Sequence, residues 1–139
     1  MQMVIRPETI DDIASIRALT EEAFRYAEHA SHTEHCINDA LREAGQLTLS
    51  LVAVEGDAIV GHVAISPVRL SDASENWYGL GPIAVSPGRQ REGIGSRLIR
   101  RALEMIRERG ARGCVVLGEP KYYGRFGFEA SPTLVLPGV

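Results

Sequence analysis

The residues best placed for chemistry lie in one stretch, Gln90-Arg91-Glu92-Gly93-Ile94-Gly95-Ser96. An apolar run, Leu80 to Val85, precedes it, and a segment with helical spacing follows. The first N–H groups of a helix have no internal partners, and together they carry roughly half a positive charge. A pyrophosphate fits such a site. Gly93 and Gly95 remove side chains that would hold phosphates away from the backbone. Other reactive types are thinly spread. Cys36 follows His35, but adjacency in sequence is not a catalytic geometry. Cys114 sits in an apolar run and reads as a buried small hydrophobe. The two cysteines form neither a CxxC pair nor a zinc spacing with histidine, so no metal is expected.

Two familiar phosphate loops fail on these residues. A Walker loop needs Gly-Lys-Ser/Thr at the helix start, and the only lysine of the chain is Lys121. A dinucleotide fingerprint needs a third glycine, which falls on Leu98. Charge supports a local anion site. The net charge is -3, yet residues 89–112 carry eight arginines against three glutamates. Residues 1–43 carry nine acids and four arginines. A basic segment in an acidic chain implies one anionic ligand, or a solvated helix face for most of its arginines. No aromatic residues interleave with it, which argues against nucleic acid.

The elements that must position this stretch follow from period and punctuation. Val4-Ile5-Arg6-Pro7 reads as a short strand. Thr9 and Asp12 approach a capping box for a helix near 10–27. A polar loop, Glu28 to Thr33, separates it from a helix over 34–44 that stops at Gly45. Residues 47–54 alternate as a strand, Glu55-Gly56-Asp57 turns, and Ala58 to Val68 returns. After a turn at 71–76, Trp77 to Val85 makes a third long strand, whose Gly79 and Gly81 mark a bulge. A helix near 93–109 buries Leu98, Ile99, Ala102, Leu103, Met105 and Ile106. A short strand (114–117), a short helix (120–125) and a last strand complete the order. The fold class is α/β, a mixed, mostly antiparallel sheet with helices on its faces. The 139 residues fit a single domain. No apolar run reaches a membrane span, and the N-terminus lacks signal-peptide character. Cytoplasmic residence is expected.

The string Gln90-Arg91-Glu92-Gly93-Ile94-Gly95 resembles the Q/R-x-x-G-x-G/A signature of GNAT N-acetyltransferases, and Ile83-Ala84-Val85 looks like their coenzyme-binding strand. The element order resembles that family over nearly the whole chain. Tyr123-Gly124-Arg125-Phe126-Gly127-Phe128 looks like its Y-x-x-x-G-F element. The run from Leu117 to Phe128 also resembles a bacterial branch of small-molecule acetyltransferases. The resemblance implies acetyl-CoA as acetyl donor. Backbone N–H groups from Gln90 through Ser96 (Gln90, Arg91, Glu92, Gly93, Ile94, Gly95, Ser96) would hold the pyrophosphate. The strand Ile83, Ala84, Val85 would pair with the pantetheine arm through the backbone of Ile83 and Val85. Tyr123 would protonate the departing thiolate, a sound role for a phenol near pKa 10. A core tyrosine is the plain alternative, and Tyr122 is the rival under a different helix phase.

On this resemblance an amine attacks the thioester directly. A free N–H on residues 83–85 would serve the oxyanion. The general base stays open among Glu21, Glu22, Glu75, His62 and Glu119. Arg97 and Arg100 either reach the 3′-phosphate or face solvent. The acceptor is expected to be a small-molecule primary amine. Two other readings share the same loop: an acyl-CoA sensor without turnover, and an acetyltransferase for protein lysines or N-termini. The family usually adds another strand after this point, whereas eleven residues follow Phe128. A missing C-terminal strand is therefore expected, with a homodimer as one way to supply it by edge pairing.

Overall fold

The structure is a computed structural model, and it describes residues 3–25, 34–68, 76–90 and 92–116. Among these residues five strands form one sheet in the order β1 (Met3–Pro7), β2 (Leu49–Glu55), β3 (Ala58–Val68), β4 (Trp77–Val85) and β5 (Gly113–Val115). The first four run antiparallel to their neighbours, and β5 lies parallel to β4. The mixed α/β architecture read from the sequence is the one observed. Strand β2 is buried over Leu49–Ala53 because helices cover both faces of the sheet. The β2–β3 hairpin turns at Gly56, whose φ of 63° suits a glycine.

Three helices among the described residues flank the sheet: α1 (Ile13–Phe24), α2 (Glu34–Glu43) and α3 (Ile94–Glu108). The entry to α1 is a short 3-10 turn, Ile10–Asp12. There the Thr9 N–H donates to the Asp12 carboxylate at 2.7 Å, and the Asp12 N–H donates to the Thr9 carbonyl at 3.0 Å. Arg6, on β1, donates two hydrogen bonds to the same carboxylate at 2.7 and 3.2 Å. These bonds tie the helix start to the sheet edge and hold Asp12 down to about 2, first through Arg6.

The two faces of the sheet differ. Alternation along the strands puts Leu49, Leu51, Val63 and Ile65 on the face covered by α3. Ile94, Leu98, Ile99, Ala102 and Ile106 of α3 complete an apolar core there, with Leu103 and Met105 packed at its margin. The cross-strand sets Ser50–Ala64 and Val52–His62–Ala84 occupy the opposite face, beneath α1 and α2. Ile16, Leu19, Thr20 and Asn38 meet them from the helices.

Boundaries shift by a residue or two from the sequence reading. The second strand starts at Leu49, and the short parallel strand is Gly113–Val115. Gly113 is needed where it stands, because a Cβ there would lie 2.3 Å from the Trp77 ring. The polar loop at 28–33, most of the 71–76 turn, the short helix at 120–125 and the last strand lie outside the described residues.

Candidate active site

Strand β4 carries the expected bulge. Val63 to Ile65 on β3 faces Ile83 to Leu80 on β4, so β4 has one extra residue at Gly81–Pro82. Gly81 has φ 132°, and the Gly81–Pro82 peptide is cis. Beyond the bulge the edge of β4 is open. Ser86 N–H donates to the Val60 carbonyl at 2.9 Å, and Ala84 stands opposite His62. Strand alternation therefore turns the peptide groups of Ala84 toward β3, and those of Ile83 and Val85 toward the opposite edge. Strand β5 pairs only with Trp77–Gly79, so no described strand covers Ile83–Val85 on that side. Among the described residues, the Val85 carbonyl meets the Gln90 side-chain amide at 3.3 Å.

The predicted phosphate loop lies at the end of this strand. A 3-10 turn, Pro87–Arg89, leads to Gln90 in an extended conformation. Gly93 is the N-cap of α3 with φ 86°, a left-handed conformation that glycine tolerates. Among the described residues no side chain caps this helix, and no acid stands in its first turn. The Arg97 N–H makes the bond to the Gly93 carbonyl at 3.1 Å, so the N–H groups of Ile94, Gly95 and Ser96 precede the helical ladder. No described atom lies within 4 Å of the place a Gly93 Cβ would take.

Gly61 sets the height of this helix end. A Cβ at this position would come within 2.9 Å of both Ile94 Cγ2 and Leu98 Cδ1, and Gly61 pairs with Val85. The bare backbone of β3 lets the first turn of α3 settle beside the end of β4. Arg89 then pins the loop from the other side. It donates to both oxygens of Glu55 at 2.7 and 2.9 Å and to Glu92 at 2.8 Å. These carboxylates raise the Arg89 pKa, and Arg89 lowers that of Glu55. Sequence reasoning missed this clamp, since Glu55 reads only as a turn residue.

An open strand edge beside an uncapped helix start suits an extended, phosphate-bearing ligand. A model of the GNAT acetyltransferase domain matches residues 4–131. The chain belongs to the GNAT acetyltransferase family. It is 37% identical over 128 residues to the uncharacterised N-acetyltransferase YhbS of Escherichia coli K12, covering 91% of this chain and 74% of YhbS. A GNAT acetyltransferase from Brucella melitensis, solved with acetyl-CoA, is 51% identical with a TM-score of 0.91, over 99% of this chain and 90% of that one. The structure of E. coli YhbS with CoA gives 35% identity and a TM-score of 0.84, over 93% and 69% of the two chains.

In this acetyltransferase the structure brings together Ile83, Ala84, Val85, Gln90, Glu92, Gly93, Ile94, Gly95 and Ser96. Their side chains differ in use. Ile94 is a buried anchor in the α3 core, Ala84 is buried on the other face, and Glu92 is engaged by Arg89. Arg91 and Tyr123 lie outside the described residues, as do Glu75, Glu119 and Tyr122. Of the base candidates that are described, Glu21 and Glu22 lie on α1. His62 is fully buried in β3, and burial pushes its pKa down to about 4. Arg97 and Arg100 sit on the exposed side of α3.

Cys36 is exposed on α2, and Cys114 lies in β5 with its thiol pushed up to about 12 by burial. Among the described residues no group of histidines, cysteines and acids has a metal-holding arrangement, and no helix is long and apolar enough to cross a membrane.

Proposed function

We propose that this GNAT domain, spanning residues 1–139, moves acetyl from acetyl-CoA to a primary amine of a small molecule. The observation that carries this reading is the open β4 edge at Ile83 and Val85, set beside the uncapped first turn of α3. Pantetheine amides pair with the strand edge, and the pyrophosphate takes the N–H groups around Gly93–Ser96. The coenzyme-bound relatives support the same donor.

The amine attacks the thioester carbonyl directly. The new C–N bond forms, the C–S bond breaks, the amine loses a proton and the thiolate gains one. An N–H on the free edge of β4 stabilises the oxyanion, and Tyr123 supplies the thiolate's proton. The setting is the cytoplasm.

Calorimetry with acetyl-CoA tests the donor site in wild type and Gly95→Trp, with circular dichroism to check folding. The tryptophan blocks the helix start, so binding is expected in wild type alone. Folded wild type that fails to bind acetyl-CoA overturns the reading. Binding without turnover of any amine, with Tyr123→Phe indistinguishable from wild type, makes the protein a sensor of acyl-CoA.

A further inference from the structure

The layer beneath α1 and α2 holds polar atoms that the donor site does not use. The Ser50 hydroxyl lies 2.7 Å from His62 Nε2 and also bonds the Glu8 carboxylate. Arg42 of α2 holds that carboxylate through Nε at 3.1 Å and Nη2 at 2.8 Å. A hydroxyl has one hydrogen and an ionised carboxylate has none. The Ser50 hydrogen therefore goes to Glu8, and Ser50 Oγ must accept from His62. That fixes the ring hydrogen on Nε2 and leaves Nδ1 as a bare lone pair. His62 is 0% exposed, and its Nδ1 has no hydrogen-bond partner among the described residues.

Asn38 stands on α2 one turn before Arg42. It is 2% exposed, and neither its Nδ2 nor its Oδ1 has a partner among the described residues. Each buried polar atom left unpaired costs stability, because it has given up water for nothing. Three of them in one layer call for a group that satisfies them. His62 lies directly across from Ala84, between the two residues whose peptide groups form the open edge of β4. The unsatisfied layer thus adjoins the donor strand on the face opposite α3.

We infer that Asn38 and His62 form the polar subsite that receives the acceptor, and that it takes an uncharged amine with its N–H hydrogens. The chemistry of the three atoms selects this class. Nδ1 of His62 and Oδ1 of Asn38 accept, and only Nδ2 of Asn38 donates. A carboxylate or phosphate would bring lone pairs against lone pairs. An ammonium ion would be buried without a carboxylate in contact, since Glu8 is spent on Arg42 and Ser50. A neutral amine offers hydrogens to both acceptors and a lone pair to the amide. Glu8 and Ser50 are positioning residues, acting through the tautomer of His62. The inference rests on the acetyl-transfer reading for the identity of the ligand, not for the existence of the subsite.

The test is a nitrogen-15 NMR titration of the full chain with ethanolamine, with and without acetyl-CoA, and with acetate as control. The His62 Nδ1 and Asn38 side-chain amide signals are expected to shift saturably with ethanolamine and to ignore acetate. Asn38→Leu is expected to raise Tm, because it removes two unpaired atoms, and to raise the KM for ethanolamine at least tenfold at unchanged acetyl-CoA affinity. Ser50→Ala is expected to redistribute the His62 tautomer and raise the same KM, with Ser50→Thr restoring both. Signals unmoved by ethanolamine, or an Asn38→Leu enzyme with wild-type KM, overturn the subsite. A wild type that binds no acetyl-CoA overturns the acetyl-transfer reading instead, while the titration without coenzyme still decides the subsite.

Discussion

The two faces of the sheet are built on opposite terms. Under α3 the buried set is wholly apolar, from Leu49 and Leu51 through Val63 and Ile65 to Leu98, Ile99 and Ile106. Under α1 and α2 the buried set includes Thr20, Asn38, Ser50 and His62, and three polar atoms of Asn38 and His62 have no partner among the described residues. Apolar contacts cost nothing in desolvated polar groups, so the α3 face can be packed for stability. The other face gives up part of that gain. The contrast amounts to a division of labour. The α3 side holds the first turn of α3 and the end of β4 in place, and the α1–α2 side keeps polar atoms available.

Damage to the apolar face puts this division under the greatest strain. Leu98 is fully buried and also packs over the bare backbone at Gly61. Leu98→Ala should cost about 2–5 kcal/mol, read from the urea midpoint. It should also weaken acetyl-CoA binding, since Leu98 seats the helix start. A loss below about 1 kcal/mol would mean that this face is loosely packed and the division fails.

The polar face should reveal itself in acid. His62 is held down to about 4 by burial, against an ordinary 6.5. Above the ordinary value the ring is neutral in both states, and its contribution is fully present. As pH falls from about 6.5 to about 4, the unfolded chain takes up the proton first and stability is lost. Below that window both states are protonated and this loss stops. The total is about 3 kcal/mol by the linkage relation. His62→Gln should flatten the stability profile in that window. The separate loss from Asp12, whose carboxyl is held near 2 by Arg6, begins only below its ordinary value of 3.8. A wild-type profile that is flat from pH 6.5 to 4 would show that the layer beneath α1 and α2 is wet.

Much of the α3 side was legible in the sequence, because its signals are local. Helical spacing marked the buried stripe of α3, and Gly93 and Gly95 marked its open start. The strand before it, with its bulge, showed in Gly79, Gly81 and Pro82. The polar face was not legible in the same way. His62 reads as one histidine in an apolar strand, Ser50 as one alternating polar residue, and Glu8 as a loop acid. They meet only because β1, β2 and β3 pair in one register, placing residues 8, 50 and 62 in a row. Asn38 carried no signal at all, since an asparagine on an acidic, polar helix looks solvent-facing. The Glu55–Arg89 clamp spans 34 residues and is invisible to any local pattern.

That clamp joins the loop to the sheet without entering either face, so its loss should touch binding more than stability. Arg89→Gln should weaken acetyl-CoA binding several-fold by calorimetry, with stability changed by less than about 1 kcal/mol, as befits a half-exposed ion pair. The swap Glu55→Arg with Arg89→Glu should recover part of the affinity if geometry is what matters. Affinity lost in the swap as fully as in the single variant would assign Arg89 to direct phosphate contact.

A milder contrast sets one cysteine from each side against the other. Cys36 is exposed on α2, while Cys114 packs against the α3 core, where burial pushes its thiol up to about 12. The thiolate is the reactive form, so a thiol reagent at mildly basic pH should modify Cys36 fast and Cys114 only on unfolding. Modification of Cys36 should move stability by less than about 0.5 kcal/mol, the usual range for a surface change. Rapid reaction of both thiols in the folded protein would mean that β5 opens readily. The apolar face would then be firm over β2 and β3 alone, and the edge of β4 would be exposed along its length to whatever pairs with it.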